Sequence, residues 1–176
     1  MAKIIFATGE VYEGEACSVY EAAKAVYGSV SREVLAALVN GGADFTSQII
    51  YLEADVDLGY KEWIPIGNAE QSFKGTFNGQ GYTISNLNLN VSTGGAYGVF
   101  GLLNGATVKN LKVSGTMTAS NTSQLAAGVI AGASVNSTID GCTTDVAVTI
   151  TGSSASNVRL AVGGIAGIVY SSGTNK

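Results

Sequence analysis

The stretch GTFNGQGYTISNLNL, from Gly75 to Leu89, decides how the chain is expected to fold. Three glycines and three asparagines are spread among single apolar residues, a spacing too regular for a linker and too rich in glycine for an ordinary strand. A phosphate-binding loop would need a helix directly after its glycines, whereas the strand-forming segment YTISNLNL follows here. The stretch therefore points to architecture and not to a ligand.

Related glycine-flanked segments recur along the chain. GTFNG, GVFG, GVIAG and GGIAG begin at Gly75, Gly98, Gly128 and Gly163, and connections of variable length separate them. Constant segments joined by variable connections are typical of a solenoid. Glycine, threonine, valine and asparagine favour strands over the paired helices of an α-solenoid. We predict a mainly β fold, a parallel β-helix of about four coils over residues 49–176, with the last coil incomplete.

The repeats also predict the core. A central apolar residue, and a later triplet spaced by three and two residues, return in successive coils. Because equivalent positions of stacked coils lie about 4.8 Å apart, we expect Phe77 to stack near Phe100, followed by Ile130 and Ile165. The predicted core ladder consists of Phe77, Phe100, Ile130, Ile165, Ile84, Leu87, Leu89, Val108, Leu111, Val113, Ile139 and Cys142.

Corners of the coils are expected at glycine and asparagine. The glycines would adopt positive φ, or would let two sheets approach closely. Asn86 and Asn110 precede a leucine in two copies of the repeat, and Gly141 takes that place in the third copy. We predict one equivalent corner for all three residues, with the amides bonded along the stack.

The chain before Gly75 has a different composition, since it holds 11 of the 13 acidic residues. KIIFATGEVYEG predicts two short strands around a turn at Thr8-Gly9. SVYEAAKAVYG carries a capping box and predicts a helix over Val19 to Tyr27, and REVLAALV predicts a second helix that Asn40-Gly41-Gly42 ends. We predict that residues 1–48 cap the first coil, whose end would otherwise expose core and unpaired backbone.

The segment IIYLEADVDL is predicted to form one strand. Its acidic side chains, Glu53, Asp55 and Asp57, would share one face with Tyr51. Such carboxylates could suggest calcium binding or acid–base catalysis, but no loop with metal-ligand spacing accompanies them. We interpret them as a solvated strand face.

Composition argues against several classes of function. The net charge is −4 without a basic cluster, so a nucleic-acid partner is not expected. The chain has no histidine, and Cys17 and Cys142 lie far apart, so we predict two buried unpaired thiols, no zinc site and no cofactor. No window approaches the roughly 18 apolar residues of a membrane span. No export signal is recognised either, so we expect that one has been removed or that the protein reaches its destination in another way.

The segment WIPIGNAEQSFKGTFNGQGYTISNLNLN, followed by GAYGVFGLLNGATVKNLKV and GGIAG, resembles the GLUG-repeat proteins. These are bacterial surface and adhesin-like chains that form right-handed parallel β-helices. The resemblance covers about Ile49 to Gly167 and includes LEADVDL before the W-x-P-I-G segment. Cys142 and Thr144 depart from an aliphatic ladder, and the helical N-terminal segment is not part of the pattern. The resemblance implies a scaffold and supplies no catalytic residue.

We therefore expect a noncatalytic structural or adhesin-like module, extracellular on a bacterial surface. Its partners would be other protein subunits, or further repeats of the same chain at the C-terminal coil, because the fourth copy stops before its triplet. Surface glycans that stack on Tyr82 and Tyr97 are a further partner class. The alternative is a virion decoration or fibre protein of a phage, which assembles with partner subunits.

Two other classes have weaker support in the sequence. A glycan-active enzyme would have to use Asp140 and Asp145 with Arg159, which form no carboxylate ladder. An ice-binding protein would use T-x-T runs, whose threonines are not expected to recur in register. These threonines are Thr116, Thr118, Thr149 and Thr151.

Overall fold

The structure is a computed structural model that describes residues 2–5, 11–14, 36, 38–52, 54–121, 124–152 and 160–171. Apart from one short helical segment, the described elements are strands. The strands are β1 (Ala2–Ile5), β2 (Val11–Gly14), β3 (Ile49–Tyr51), β4 (Val56–Asp57), β5 (Thr76–Asn78), β6 (Thr83–Val91), β7 (Gly95–Tyr97), β8 (Phe100–Asn104), β9 (Thr107–Lys109), β10 (Lys112–Asn121), β11 (Leu125–Gly128), β12 (Ala131–Val135), β13 (Thr138–Asp140), β14 (Thr143–Gly152), β15 (Leu160–Gly163) and β16 (Ala166–Tyr170).

Strands β3 to β16 form four sheets, and the strands within each sheet are parallel. Sheet 1 contains β3, β5, β9 and β13, and sheet 2 contains β4, β6, β10 and β14. Sheet 3 contains β7, β11 and β15, and sheet 4 contains β8, β12 and β16. From β5 onward the chain visits the sheets in this order in each coil, whereas the first coil supplies β3, β4 and isolated bridges at Ile66 and Phe73. Every pairing within the sheets is parallel. The predicted mainly β fold is confirmed as a parallel β-solenoid of about four turns.

The register differs from the predicted stack of Phe77 on Phe100. Phe77 pairs with Ile50 and Val108 in sheet 1, whereas Phe100 pairs with Ala131 in sheet 4. The prediction is wrong because the segment GTFNG lies in sheet 1, whereas GVFG, GVIAG and GGIAG lie at the turn into sheet 4, where Phe100 is also offset by one residue from Ile130. The two phenyl rings meet across the core instead, edge to face, with centroids 5.4 Å apart.

The repeats predict that the triplets Ile84-Leu87-Leu89, Val108-Leu111-Val113 and Ile139-Cys142-Thr144 occupy equivalent positions. This prediction is correct for the second and third triplets and wrong for the first. Val108 pairs with Ile139, and Val113 pairs with Thr144. Ile84, however, stacks on Val113 and not on Val108. Seven positions separate Phe77 from Ile84, while five separate their partners Val108 and Val113, so the first corner holds two extra residues.

Two of the three predicted corner residues are equivalent. Asn110 has a φ of 53° and Gly141 a φ of 59°, both at the corner between sheet 1 and sheet 2. Asn86 also has a positive φ, 57°, but it lies at a bulge within β6, where the register against β10 shifts by one residue. Its amide donates a hydrogen bond of 2.8 Å to Asp57 Oδ1. The bulge explains why Asn86 resembled a corner in sequence.

Sheets 3 and 4 approach each other so closely that some positions accept only glycine. A Cβ on Gly132 would lie 2.6 Å from the carbonyl carbon of Ala96 and closer still to the backbone nitrogen of Tyr97. A Cβ on Gly167, in β16, would lie 2.7 Å from the backbone nitrogen of Ala127, in β11. The predicted role of glycine in close approach between sheets is therefore confirmed here.

The N-terminal part is described in two pieces. β1 and β2 pair antiparallel, as the sequence predicted. The helix predicted over Val19 to Tyr27 lies outside the described residues. Of the second helix, Ala36 and residues 38–40 are helical. It ends as predicted, because the N–H of Gly42 (φ 95°) bonds to Val39 and the next N–H bonds to Leu38, at 3.0 and 2.9 Å.

This helix end packs against the first coil. Leu38 and Val39 are buried in the main core. The side chain of Asn40 donates to the Pro65 carbonyl at 3.0 Å and accepts from the Gly67 N–H at 2.8 Å. Apolar burial and two hydrogen bonds together fix the segment to the coil.

The segment IIYLEADVDL does not form one strand. It supplies β3 to sheet 1 and β4 to sheet 2, and a corner separates them. Asp55 and Asp57 accept hydrogen bonds from the backbone N–H groups of Thr83 and Gly59, at 2.7 and 2.8 Å. The alternation was misleading because Asp55 and Asp57 hold the turns around β4 through these hydrogen bonds; Glu53 lies outside the described residues.

Candidate functional site

The last coil of the solenoid forms one edge of each of the four sheets. We call β13, β14, β15 and β16 the terminal coil; each is the last strand of its sheet among the described residues. Their inward side chains are less covered than the equivalent residues one coil earlier. Val148 is 39% exposed, whereas its partner Met117 is 0% exposed. Ile150 is 51% exposed, whereas its partner Ala119 is fully buried.

Other inward positions of the terminal coil repeat this difference. Leu160 is half-buried above the buried Leu125, to which it is paired. At the turn between sheets 3 and 4, Ile165 is 36% exposed and Ile130 is buried. In the first coil, by contrast, Ile50, Leu58 and Ile66 are buried. The core is therefore closed at the first coil and open at the terminal coil.

Strand β14 provides the longest part of this open edge. Its pairing with β10 directs Val146, Val148 and Ile150 toward the core and leaves the odd-numbered residues 143 to 151 on the outer face. The N–H of Thr143 donates to the Leu111 carbonyl of the coil below at 2.9 Å. Because backbone groups alternate along a strand, the N–H and C=O groups of the even-numbered residues point to the open side. The β14 edge thus combines the apolar side chains of Val146, Val148 and Ile150 with backbone groups that no described strand of sheet 2 pairs.

The terminal coil carries little charge. Asp140 and Asp145 are the only charged residues within its described ranges, 138–152 and 160–171, and both are exposed. Asp145 lies on the outer face of β14, away from the apolar stripe. A weakly charged apolar edge of this kind suits contact with protein more than contact with an ionic ligand.

Cys142 lies at the corner before β14. Its side chain is half-buried and packs against the core, and the thiol contacts the carbonyl oxygens of Asp140 and Val108 at 3.4 and 3.7 Å. Burial raises the pKa of this thiol above that of a free cysteine. It is unpaired, as predicted, but it is not fully buried; Cys17 lies outside the described residues.

Most of the predicted core ladder lies inside. Buried members, all under 9% exposed, are Phe77, Phe100, Ile130, Ile84, Leu87, Leu89, Val108, Leu111 and Val113. Ile139 and Cys142 pack partly buried against the core, and Ile165 is exposed at the terminal coil. The sequence interpretation missed Val146, Val148 and Ile150, although their alternation with polar residues in TTDVAVTITG was a usable signal.

A groove runs along the outside where sheets 3 and 4 meet. Two cavities of about 570 and 610 Å³ share Gly95 and Ala133 as lining residues. Ala96, Ala126 and Ala161 form a register-matched row along it. Its lining combines alanine and glycine with larger apolar and polar side chains, among them Leu102, Leu125 and Gln124.

The predicted sugar-stacking tyrosines are placed differently. The Tyr97 hydroxyl hydrogen-bonds with the Thr93 hydroxyl at 2.8 Å, and its ring packs against the core. Tyr82 is exposed at the corner before β6. These two side chains do not form one stacking surface, since Tyr82 precedes the nine-residue strand β6 and Tyr97 follows it, in β7.

Threonines on the outer face of sheet 2 partly recur in register. Thr118 pairs with Thr149, so the expectation that no threonines would match is wrong for this pair. The row continues with Asn90 in β6, and Thr116 pairs with Ala147. A regular threonine array does not form because the other coils place asparagine or alanine in these rows.

Within the described residues, no three of the His, Cys, Asp and Glu side chains form a group able to hold a metal ion. The helical residues in the described ranges do not include a segment with the length and apolar character needed to cross a membrane. Comparison of the chain with models of protein families, with curated proteins and with solved structures finds no match.

Proposed function

We propose that the protein is a noncatalytic structural module, a right-handed β-solenoid that acts as a scaffold and contacts another protein through its terminal coil. The observation that carries the proposal is the difference between the two ends of the core. Val148 and Ile150 are 39% and 51% exposed, whereas the core of the first coil is covered by its own chain. Apolar surface left at one end of a solenoid is characteristic of an interaction site.

The positions of the carboxylates support a noncatalytic role. Asp55 and Asp57 accept backbone and amide hydrogen bonds that fix corners of the first coils. The Thr46 hydroxyl and the Thr46 backbone N–H, the latter at 2.8 Å, hydrogen-bond to the Asp44 carboxylate and lower its pKa. General acid–base chemistry needs a carboxyl group with a raised pKa beside a second one in a cleft. These side chains instead accept hydrogen bonds that stabilise turns.

A bacterial surface is the proposed location. The support for it is the resemblance of residues 49–167 to GLUG-repeat surface proteins, together with the solenoid architecture that those repeats imply. A compact parallel stack exposes few mobile segments in its coils and suits a module that is displayed outside the cell. In this setting the outer faces serve as scaffold and the terminal coil serves as contact surface.

The test is site-specific photo-crosslinking in the cell that produces the protein. A photoreactive amino acid replaces Val148 at the open edge, and a matched control replaces Thr116 on the exposed outer face of β10. We expect the probe at position 148 to join the chain to one defined polypeptide, and the probe at position 116 to give none. Equal yields at the two positions, or no product at 148, would contradict the proposed contact surface.

A further inference from the structure

The two edges of sheet 2 differ too much to stack head to tail. One edge is β14, with ten residues, and the other is β4, with two residues. The two residues of β4 are too few to pair along the ten residues of β14. In addition, the helix end at residues 38–40 packs against the first coil, which contains β4. Of the two edge strands of sheet 2, only β14 itself matches β14 in length, so the matching partner is β14 of a second copy of the chain.

We propose that a second copy of this chain covers the terminal coil, through antiparallel pairing of the two β14 strands about a two-fold axis at Val148. The proposal rests on the proposed function and names its partner. A two-fold axis perpendicular to sheet 2 places the interior of one copy over the interior of the other. Such an isologous contact closes the assembly as a dimer and pairs the β14 edge of each copy.

The register follows from the faces of β14. Val146, Val148 and Ile150 share the inner face, so antiparallel pairing must keep even-numbered residues opposite even-numbered residues. With Val148 on the axis, it faces Val148 of the second copy, and Val146 faces Ile150. Their N–H and C=O groups point to the open side, so these residues form the hydrogen-bonded pairs of the ladder. An axis at residue 147 would instead set Ile150 against Thr144.

Charge favours the same register. An axis at Val148 displaces the two Asp145 residues by six positions, about 20 Å along the strands. An axis at Val146 would displace them by two positions, about 7 Å, which is within the screening length of about 8 Å in physiological salt. Since β14 carries no other charged residue, repulsion is smaller with the axis at Val148 than with the axis at Val146.

The size of the edge is sufficient for a stable dimer. β13, β14, β15 and β16 contain three, ten, four and five residues, 22 in all. Standard protein interfaces use about 20 to 30 residues on each side. The terminal coil thus provides an interface of ordinary size with an apolar centre.

The first experiment measures molar mass by light scattering over a series of protein concentrations. The wild type should be a dimer at about 10 µM, the range in which standard interfaces remain associated. Val148→Lys should weaken dimerisation by about 100-fold, because it places two like charges on the axis. Thr149→Lys, one residue away on the exposed outer face, should leave the dimer nearly unchanged, because the introduced ammonium group lies about 7 Å along the strand from both its counterpart and Asp145 of the second copy, so that repulsion and attraction offset each other. A monomeric wild type, or equal loss in both variants, overturns the proposal.

The second experiment tests the register and does not depend on the lysine variant folding. Single cysteines are placed at Val148 or at Val146 in a background with Cys17→Ser and Cys142→Ser. Hydrogen-bonded partners lie about 5.5 Å apart between Cα atoms, within reach of a disulfide. Mild oxidation should therefore link two copies through position 148 and not through position 146. Linkage at 146 in place of 148, or no linkage at either, overturns the proposed pairing.

The outcomes separate this inference from the proposed function. If the photoreactive probe at Val148 captures a different polypeptide while the purified chain is monomeric, the terminal coil is a contact surface and the second copy is wrong. If position 148 captures nothing in the cell and the purified chain is monomeric, both proposals fail. A self-linked product in both experiments supports both.

Discussion

Replacing Gly132 by alanine should strongly destabilise the solenoid, because sheets 3 and 4 meet at this residue without room for a side chain. The added Cβ would lie 2.6 Å from the Ala96 carbonyl carbon, whereas ordinary contacts of a Cβ fall between 3.4 and 4 Å. The neighbouring atoms are backbone, so the sheets must separate by about 1 Å in a core packed like a solid. Overpacking of this kind costs about 1 to 3 kcal/mol.

Alanine also lowers the conformational entropy of the unfolded chain relative to glycine. This favours the folded state and offsets about 0.4 to 1 kcal/mol of that cost. The net expectation for Gly132→Ala is a loss of about 1 to 2 kcal/mol in the free energy of unfolding, measured by urea denaturation at a fixed protein concentration. Gly164→Ala is the matched control, since no heavy atom lies within 4 Å of its added Cβ and its φ is not positive. The control should change stability by less than about 1 kcal/mol, in the stabilising direction.

A loss below about 0.5 kcal/mol for Gly132→Ala would refute the close approach of sheets 3 and 4, because surface substitutions away from any tight contact usually fall within that range. Equal losses in the two variants would refute it as well, since they would show a general response of this fold to alanine. An unchanged slope of the denaturation curve in both variants confirms that the same cooperative unit unfolds.

Three further predictions concern the core, a corner and the thiol. Phe100→Ala should lower the free energy of unfolding by about 3 to 5 kcal/mol, since the ring is fully buried and meets Phe77 edge to face; a loss under 1 kcal/mol in a thermal or urea melt would contradict this packing. Asn110→Ala should cost about 1 to 2 kcal/mol, because φ is 53°, and Asn110→Gly should cost clearly less; equal costs would remove backbone strain as the reason. In a Cys17→Ser background, alkylation of Cys142 should rise with pH through a midpoint above that of a free thiol, because burial raises its pKa; a midpoint at or below the free-thiol value would be inconsistent with a half-buried side chain.

The sequence was sufficient for the architecture because glycine, asparagine and single apolar residues recur at coil length. That pattern predicted parallel coils, the buried Leu87 and Leu89, the left-handed corner at Asn110 and the end of the helix before Gly42. Each of these follows from a local property of the chain, either apolar periodicity or a positive φ. Local properties remain readable without knowing which residues are neighbours in space.

Register could not be predicted in the same way. Phe77 and Phe100 have similar flanking residues but belong to different sheets, and a two-residue insertion moves Ile84 from Val108 to Val113. Alignment of short repeats cannot separate an insertion at a corner from a shift of a whole coil. The open edge was expected in general terms at the C-terminal coil, but its residues depend on which side chains the fourth coil leaves uncovered.

Hydrogen exchange of the β14 amides, followed over a range of protein concentrations, tests most directly whether a second copy covers the terminal coil. The N–H groups of Val146, Val148 and Ile150 point away from β10 and have no partner strand in sheet 2 on that side among the described residues. We expect that they exchange slowly in concentrated protein, that dilution accelerates their exchange, and that Val148→Lys raises the protein concentration needed for this protection by about 100-fold. Rapid exchange at these three amides in wild-type protein, independent of concentration, would contradict it.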